Sequence, residues 1–250
     1  YDDYGSETGA GLLLPDGRAF FIGATGHTAY YTPSGNNSPG SWAAGPDIPG
    51  GNGQTDAPAA LMVDGKILMS AAPAPTDFST IFVPPTVFYE FNYLTNTFAQ
   101  LPAPDGTPSL PIACYQTNML LLPDGNVLYS NQQDTAIGRQ YYIYTPSGDP
   151  LSIAKPTISS VVQTGCSTYS ITGTLFNGIT EGACYGDDWQ MATNYPLIRL
   201  RAGGNVYYAR SFNWNRTDVM TGSLADTAEF TLPVSLPGGD YWLEIGRAHV

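Results

Sequence analysis

The clearest pattern along the chain is a pair of short apolar runs separated by a Pro-Asp-Gly turn. It occurs in full at 115–130 and 12–22, and in a shorter form without the proline at 61–69. Proline presets φ for the first turn position, aspartate can bond to the nearby backbone, and glycine adopts the positive φ that closes the turn. Each copy is therefore predicted to form a β-hairpin.

These hairpins recur as a repeat over the first 150 residues. The turn glycines Gly17, Gly65 and Gly125 are 48 and 60 residues apart, and a period of about 50 residues is typical of kelch-type propeller blades. Short strands rich in aromatic residues follow each hairpin, as in four-stranded blades. Such strands indicate sheets that are covered on both faces.

The pattern changes after Pro150, where no further hairpin of this kind occurs. Several strand-like segments follow, separated by turn signals such as those at 203–205 and 237–240. Short strands at this spacing are typical of a small β-sandwich with an immunoglobulin-like architecture. We therefore predict an all-β chain, with about three four-stranded propeller blades over 1–152 and a sandwich over 153–243.

Both ends of the chain affect this division. The first residues already lie inside a blade-like pattern, and three repeats are fewer than the about 4 to 8 blades of a closed propeller, so we expect an N-terminally truncated propeller segment. At the other end, 244–250 resemble the translation of a sequencing adapter and are excluded from the fold prediction. We accordingly expect a C-terminally truncated sandwich; the alternative is that 242–250 form an ordinary last strand.

Composition narrows the classes of function. The net charge is −12, and Lys66 and Lys155 are the two lysines, so a nucleic-acid backbone would be repelled. No apolar run approaches the ~20 residues of a membrane-spanning helix, and no signal segment opens the chain. We expect neither a nucleic-acid partner nor a membrane span.

The three cysteines leave alternatives open. Cys166 and Cys184 lie 18 residues apart in the later module, where they either form a disulfide in an oxidising compartment or remain free thiols. Cys114 is predicted to be a buried free thiol. Three scattered cysteines do not predict a structural zinc site.

Several motifs in order resemble those of a known family. They are Tyr115-Gln116, the hairpin run 120–125, Tyr144-Thr145-Pro146, the Lys-Pro-Thr-Ile at 155–158, and the Leu-Pro-Gly at 236–238 before Tyr241-Trp242. Together they resemble the last propeller blades of galactose oxidase and its copper-radical relatives, running into their C-terminal immunoglobulin-like domain. The resemblance covers most of the chain and implies a kelch-type propeller followed by a sandwich.

The resemblance also implies where copper would bind, and this chain departs from it there. The family has a Tyr-His pair before the hairpin and a further His after a Tyr-Gly in the sandwich. Here those histidine positions are occupied by Gln116 and Gln190, and a carboxamide is a far weaker copper donor than an imidazole. We therefore predict no metal site and no cofactor. Copper is expected only under the alternative interpretation, in which the protein is an oxidase.

The other residues that could act in catalysis or metal binding are the histidines and the acidic pairs, and each has a structural interpretation. The two histidines are His27, predicted to be a loop histidine satisfied by backbone or lining a pocket, and His249, which falls in the adapter-like end. The acidic pairs at 2–3 and 187–188 are candidates for the paired carboxylates of glycoside hydrolysis, but adjacent strand residues point to opposite faces. They are therefore predicted to be solvated loop residues or a weak calcium site. No nucleophile elbow or phosphate loop occurs. We predict no catalytic residues.

Binding is the function that remains. Tyr115, Gln116, Trp189 and Gln190 would form a neutral group of amides and aromatic rings, which suits a sugar whose ring stacks on an aromatic side chain while its hydroxyls pair with amides. The sequence therefore predicts a non-catalytic secreted or cell-surface protein that binds a glycan or mediates adhesion. Alternatives are a copper-radical oxidase and a propeller that binds other proteins; core roles for Tyr115 and Trp189 also remain open.

Overall fold

The protein is all-β, as predicted. The computed structural model describes residues 5, 7–132, 141–185 and 195–246, and within these ranges the chain forms four antiparallel sheets and short 3-10 helices, with no α-helix. Among the described residues, no helix has the length and apolar character that crossing a lipid bilayer requires.

The first sheet is built on a meander of four strands, and a fifth strand from much later in the sequence pairs with its edge. The strand order is β15-β1-β2-β3-β4. The strands are β1 (Ala10–Leu13), β2 (Ala19–Ile22), β3 (Thr28–Thr32), β4 (Ser41–Ala44) and β15 (Glu181–Tyr185).

The second and third sheets repeat the meander. In the second, β6, β7, β8 and β9 pair in succession, and the two-residue β5 pairs with the far end of β7; the third has the order β10-β11-β12. The strands are β5 (Asn52–Gly53), β6 (Ala59–Leu61), β7 (Ile67–Pro73), β8 (Val87–Asn92), β9 (Thr97–Leu101), β10 (Thr117–Leu121), β11 (Val127–Asn131) and β12 (Tyr141–Tyr144).

The three predicted hairpins are confirmed, and their turns are built alike. In the third hairpin the Gly125 amide donates to the Leu122 carbonyl at 2.9 Å, and the Leu122 amide donates to the Asn126 carbonyl at 2.8 Å. The aspartate of each turn accepts a bond from the amide two residues later, at 3.1 Å in all three copies. Each turn glycine has a φ between 82° and 89°, a conformation that glycine adopts without a steric penalty.

The first and second sheets pack through one apolar core. The Phe20 and Phe91 rings stack with centroids 4.6 Å apart and an angle of 11° between their planes. Around them lie the inward-facing residues of β1, β2, β6, β7 and β8, all buried. The carboxamide of Gln54 joins the two sheets, because it accepts a hydrogen bond from the Ala10 amide in the first sheet and donates one to the Ser70 carbonyl in the second.

The opposite face of the second sheet packs on the third. The Phe88 and Tyr129 rings meet edge to face with centroids 5.3 Å apart, and the hydroxyls of Ser70 and Thr117 lie 2.9 Å apart and buried. The Tyr144 hydroxyl donates to Glu90 Oε2 at 3.1 Å. The second sheet is therefore covered on both faces.

Glu90 also pairs with a cation at this interface. Lys66 Nζ lies 2.6 Å from Glu90 Oε1 and 3.5 Å from Asp64 Oδ2, and the hydrogen bond with Glu90 is the main reason that the pKa of Lys66 is raised. Burial, followed by the charge of Glu90, raises the pKa of Tyr144 to about 12. A phenolate at this position would be desolvated and would face a carboxylate.

This raised pKa predicts a loss of stability in alkaline solution. Between the ordinary tyrosine pKa of about 10 and the folded value, the unfolded chain releases the Tyr144 proton while the folded chain keeps it, so stability falls as pH rises. Urea unfolding across this range should show a steeper decline for the wild type than for Tyr144→Phe, which has nothing to ionise there. Parallel declines in the two proteins would contradict the assignment.

The fourth sheet contains most of the later part of the chain. Its order is β13-β14-β18-β17-β16-β19, and its core comprises Ile171, Phe176, Ile198, Ala228 and Phe230. The strands are β13 (Thr157–Gln163), β14 (Thr168–Thr174), β16 (Leu197–Ala202), β17 (Asn205–Phe212), β18 (Asp226–Thr231) and β19 (Trp242–Gly246).

The chain divides into two compact units. One comprises 1–149 with 180–192, and the other comprises 150–179 with 193–250. The domain division predicted at 152/153 stays a prediction, and the sequence analysis did not anticipate that β15 returns to pair with β1. The adapter-like end begins within β19, where Glu244 lies 2.6 Å from Arg199 and 2.8 Å from Arg201; its origin in an adapter stays a prediction.

The structure decides whether Cys166 forms the disulfide that the sequence left open. Cys166 is a free, exposed thiol and is therefore not bonded to Cys184, whose backbone belongs to β15 in the other unit. Cys114 is free and buried, as predicted.

Candidate functional site

The candidate site is built on a 3-10 helix that immediately precedes β10. This helix, Cys114–Gln116, is held at both ends. The Thr117 hydroxyl donates to the Cys114 carbonyl at 2.7 Å, and the Gln132 amide donates to the Gln116 carbonyl at 3.0 Å. Because Cys114 is buried, the helix is fixed to the body of the unit while the next residue, Tyr115, points outward.

Tyr115 is a surface residue and not a core residue. Its side chain is 39 % exposed, and its ring meets Phe82 edge to face with centroids 5.0 Å apart and an angle of 64°. Phe82 is itself 42 % exposed. The two rings form an exposed aromatic pair, which we call the Tyr115–Phe82 pair.

Phe82 comes from the long proline-rich insert between β7 and β8, a segment that is not part of the site predicted from the sequence. The insert contains a 3-10 helix, Phe78–Thr80, that begins with Asp77 accepting bonds from the Ser79 amide and hydroxyl. These two bonds lower the pKa of Asp77. The insert therefore has local structure of its own.

An isolated β-bridge between Thr86 and Leu110 places the insert beside the candidate site. The Thr86 amide donates to the Leu110 carbonyl at 2.9 Å, and the Leu110 amide donates back at 2.8 Å. The buried Thr86 hydroxyl donates to the Ile112 carbonyl at 2.8 Å. Because these bonds join the end of the insert to the segment before Tyr115, Phe82 is brought next to Tyr115.

Gln116 is engaged with its own helix. Its Oε1 accepts a hydrogen bond from the Ala113 amide at 3.2 Å, and its side chain is half-buried. The carboxamide oxygen is thus committed to the backbone, and the amide nitrogen is the part of the group that a ligand could still use as a donor. Its role in binding a ligand remains a prediction.

Several predicted residues fall outside the described ranges. Trp189 and Gln190 lie in 186–194, as do the acidic residues at 187–188, while the pair at 2–3 and His249 lie near the two ends. The predicted grouping of Trp189 and Gln190 with Tyr115 therefore lies outside the described residues and stays a prediction.

His27 is a surface residue paired with an acid. Its Nδ1 lies 2.8 Å from Asp47 Oδ1, and both side chains are largely exposed. Its prediction as a loop histidine is confirmed, although its partner is a carboxylate and not the backbone. Within the described ranges, no group of three His, Cys, Asp or Glu side chains lies close enough to hold a metal ion.

The thiol of Cys114, the first residue of the Cys114–Gln116 helix, has low reactivity. Cys114 Sγ lies 3.3 Å from the Thr55 carbonyl and 3.5 Å from the Thr55 hydroxyl. Burial raises the pKa of the Cys114 thiol, so the nucleophilic thiolate is scarce at neutral pH. Cys114 packs with Ala57 and Ala72 as a small core residue.

A separate groove of about 650 Å³ lies in the second unit. Its lining is mainly apolar and includes the stacked rings of Tyr169 and Phe230, 5.4 Å apart. The Tyr241 hydroxyl at its rim donates to the Pro237 carbonyl at 2.7 Å. Among the described residues that line this groove, none has a charged side chain.

No protein-family model matches the chain, and no curated protein matches it. A solved structure described as a novel fungal alcohol oxidase with catalytic diversity among the AA5 family, in complex with copper, is similar with 14% sequence identity and a TM-score of 0.38. The match covers 93% of this chain and 48% of that one, so this chain spans about half its length. A likeness of this degree assigns neither a fold family nor an activity.

Proposed function

We propose that this protein is a non-catalytic carbohydrate-binding or adhesion protein that contacts its glycan at the Tyr115–Phe82 pair. The observation that supports this is the exposure of two aromatic rings held side by side by hydrogen-bonded backbone. The proposal includes a secreted or cell-surface location.

The chemistry of the pair suits a neutral sugar. The apolar face of a sugar ring stacks on an aromatic side chain, and the Tyr115 hydroxyl and the Gln116 amide nitrogen can bond to sugar hydroxyls. The rings are positioned before a ligand arrives, so binding requires little ordering of side chains. The side chains of Tyr115, Phe82 and Gln116 are uncharged, so none of them contributes a desolvated charge that a neutral ligand would leave unpaired.

We further propose that the three meanders are blades of a kelch-type propeller and that the second unit is an immunoglobulin-like sandwich. The repeated Asp-Gly turn and the succession of face-to-face sheets support the first assignment. The antiparallel pairing of the fourth sheet around one apolar core supports the second.

A glycan array followed by calorimetry on the best ligand tests the binding proposal. Tyr115→Ala and Phe82→Ala should each weaken binding about tenfold or more, equivalent to about 1.4 kcal/mol, because each removes half of the stacking surface. Tyr115→Phe, which keeps the ring, should lose less. Tyr208→Ala removes a comparably exposed aromatic side chain from the second unit and should bind as the wild type does.

Three outcomes would contradict the proposal. They are an absence of binding across the array, a Tyr115→Ala variant that binds normally, and copper at one ion per chain with oxidation of alcohols or aldehydes. The last outcome would instead support the copper-radical alternative.

A further inference from the structure

The segment between β17 and β18 contains a sequence that can accept an asparagine-linked glycan. It reads Asn215-Arg216-Thr217 and follows β17, which ends at Phe212. Asparagine followed two residues later by serine or threonine, with any residue except proline between them, is the acceptor pattern for this modification. Many chains contain the pattern by chance, so the positions of these side chains decide whether the site can be used.

The two side chains that the modification uses both face solvent. Asn215 and Thr217 are exposed. The side chain of Arg216 between them is 25% exposed, and its Nε lies 3.5 Å from Oδ1 of the buried Asp226. The segment therefore turns its asparagine and its threonine outward and its arginine inward. A bulky glycan on Asn215 would extend into solvent and displace no core residue.

Asn215 is held in this position by hydrogen bonds to the backbone around the start of β18. Its amide donates to the Thr227 carbonyl at 3.0 Å, and the Thr227 amide donates to Asn215 Oδ1 at 2.9 Å. Asn215 Nδ2 donates to the Ala225 carbonyl at 3.1 Å. Because Nδ2 has two N–H bonds, a bond to a sugar can replace one of them while the other still donates. The folded segment is thus compatible with a substituted nitrogen.

An exposed aromatic ring precedes Asn215 in the sequence. Trp214 is 37% exposed, and its ring stacks on that of Tyr195 with centroids 5.9 Å apart and an angle of 27° between their planes. The apolar face of a sugar ring packs well on an aromatic side chain. The first sugar of a glycan on Asn215 therefore has an apolar surface close by on which it can pack.

A second match to the pattern, Asn36-Asn37-Ser38, is less suited to the modification. Pro39 follows it directly and restricts the backbone of Ser38. In the first match the hydroxyl belongs to Thr217, whose branched Cβ leaves fewer rotamers to choose from, and the next residue is not proline. We therefore expect Asn215 to be modified in preference to the second match.

We propose that Asn215 carries an N-linked glycan once the chain has passed through a secretory pathway. This inference rests on the secreted or cell-surface location that forms part of the proposed function. It concerns a glycan attached to this chain, whereas the Tyr115–Phe82 pair is proposed to contact a glycan of another molecule.

The modification is a substitution at an oligosaccharide that is attached to a lipid diphosphate. Asn215 Nδ2 forms a bond to C1 of the first sugar, and the bond between C1 and the phosphate oxygen breaks. The lipid diphosphate leaves with the electron pair of that bond, and the transferring enzyme takes up the proton that Nδ2 releases. Nothing is oxidised or reduced, so the lipid-linked oligosaccharide is the one co-reactant that the step needs.

Expression of the full chain behind a secretion leader in yeast, with peptide mass spectrometry of the cell and medium fractions, tests the proposal. Treatment with peptide N-glycosidase in heavy-oxygen water should release the glycan and convert Asn215 to a labelled aspartate. The same chain expressed in the cytosol without the leader should show no label at this position.

Three variants identify the cause of the label. Thr217→Ala removes the acceptor hydroxyl and should abolish the label, although it leaves Asn215 and its hydrogen bonds in place. Thr217→Ser keeps a hydroxyl and should retain the label. Asn205→Gln is the matched control, since Asn205 is an exposed asparagine of the same unit with a tyrosine two positions later, and it should leave the label on Asn215 unchanged.

Three outcomes would each overturn the proposal. They are an unmodified Asn215 in the wild type, modification of Asn36 without modification of Asn215, and a Thr217→Ala variant that is still modified at Asn215. The glycan array distinguishes this proposal from the proposed function. A modified chain that binds no glycan on the array would contradict the proposed function alone, and an unmodified chain that binds one would contradict the attachment site alone.

Discussion

Replacing Gln54 with alanine is expected to lower the free energy of unfolding of the first unit by about 3 kcal/mol. Gln54 is completely buried. Its Oε1 accepts a hydrogen bond from the Ala10 amide at 2.8 Å, and its Nε2 donates to the carbonyls of Pro58 at 3.1 Å and Ser70 at 2.9 Å. One side chain thus satisfies backbone groups from two different sheets.

The size of this effect follows from what the substitution leaves behind. The Ala10 amide loses its acceptor at a completely buried residue, and a buried donor without a partner costs about 1–3 kcal/mol. The removed side-chain atoms also leave a cavity, because Gly9 packs directly against the Gln54 carboxamide. The loss of the hydrogen bonds and the cavity act in the same direction.

Urea unfolding with hydrogen exchange at the Ala10 amide would measure this effect. The amide should lose protection by about 100-fold or more in Gln54→Ala. Gln100→Ala is the matched control, since Gln100 is an exposed glutamine on β9, and it should change stability by less than about 0.5 kcal/mol. Equal effects of the two substitutions would show that Gln54 does not join the sheets.

In the second unit, Asp226→Ala is expected to cost about 3 kcal/mol of unfolding free energy. Asp226 is buried at the start of β18. Its Oδ2 accepts a hydrogen bond from the Phe176 amide at 2.8 Å, and its Oδ1 lies 3.5 Å from Arg216 Nε. Removing the carboxylate leaves the buried Phe176 amide without an acceptor and Arg216 without its closest acid.

Two companion substitutions separate these causes. Asp226→Asn keeps an oxygen for the Phe176 amide and removes only the charge, so it should be less destabilising than Asp226→Ala. Asp218→Ala removes the other acid near Arg216, but that carboxylate is 62% exposed and 3.9 Å away, and such pairs contribute about 0–1 kcal/mol. Thermal unfolding of the three variants should rank Asp226→Ala as the least stable; comparable losses for Asp218→Ala would contradict this account.

The turns were the part of the fold that the sequence predicted best. In each hairpin the bonds join residues at most four positions apart, for example Leu122 to Gly125 and to Asn126. Aspartate and glycine specify this geometry through their own side-chain and backbone preferences, whatever the rest of the chain does. The all-β class followed from the same local signals.

The candidate site was predicted only in part. Tyr115 lies at the surface, as a binding role requires, but its aromatic partner Phe82 was missed because the insert that contains it is 33 residues away in sequence. The hydrogen bonds between Thr86 and Leu110 that bring the two segments together are made by the backbone, so side-chain patterns do not reveal them. An aromatic residue in an unusually long loop was the one available signal.

By itself, the sequence determined the hairpins, their repeat and the all-β class, because these depend on interactions between close neighbours. Only the tertiary structure decided that β15 pairs with β1, that Gln54 is buried between two sheets, and which apolar sheet faces remain exposed. The physical reason is that a strand offers the same backbone hydrogen bonds to any partner. The choice among partners depends on how the whole unit buries its apolar faces.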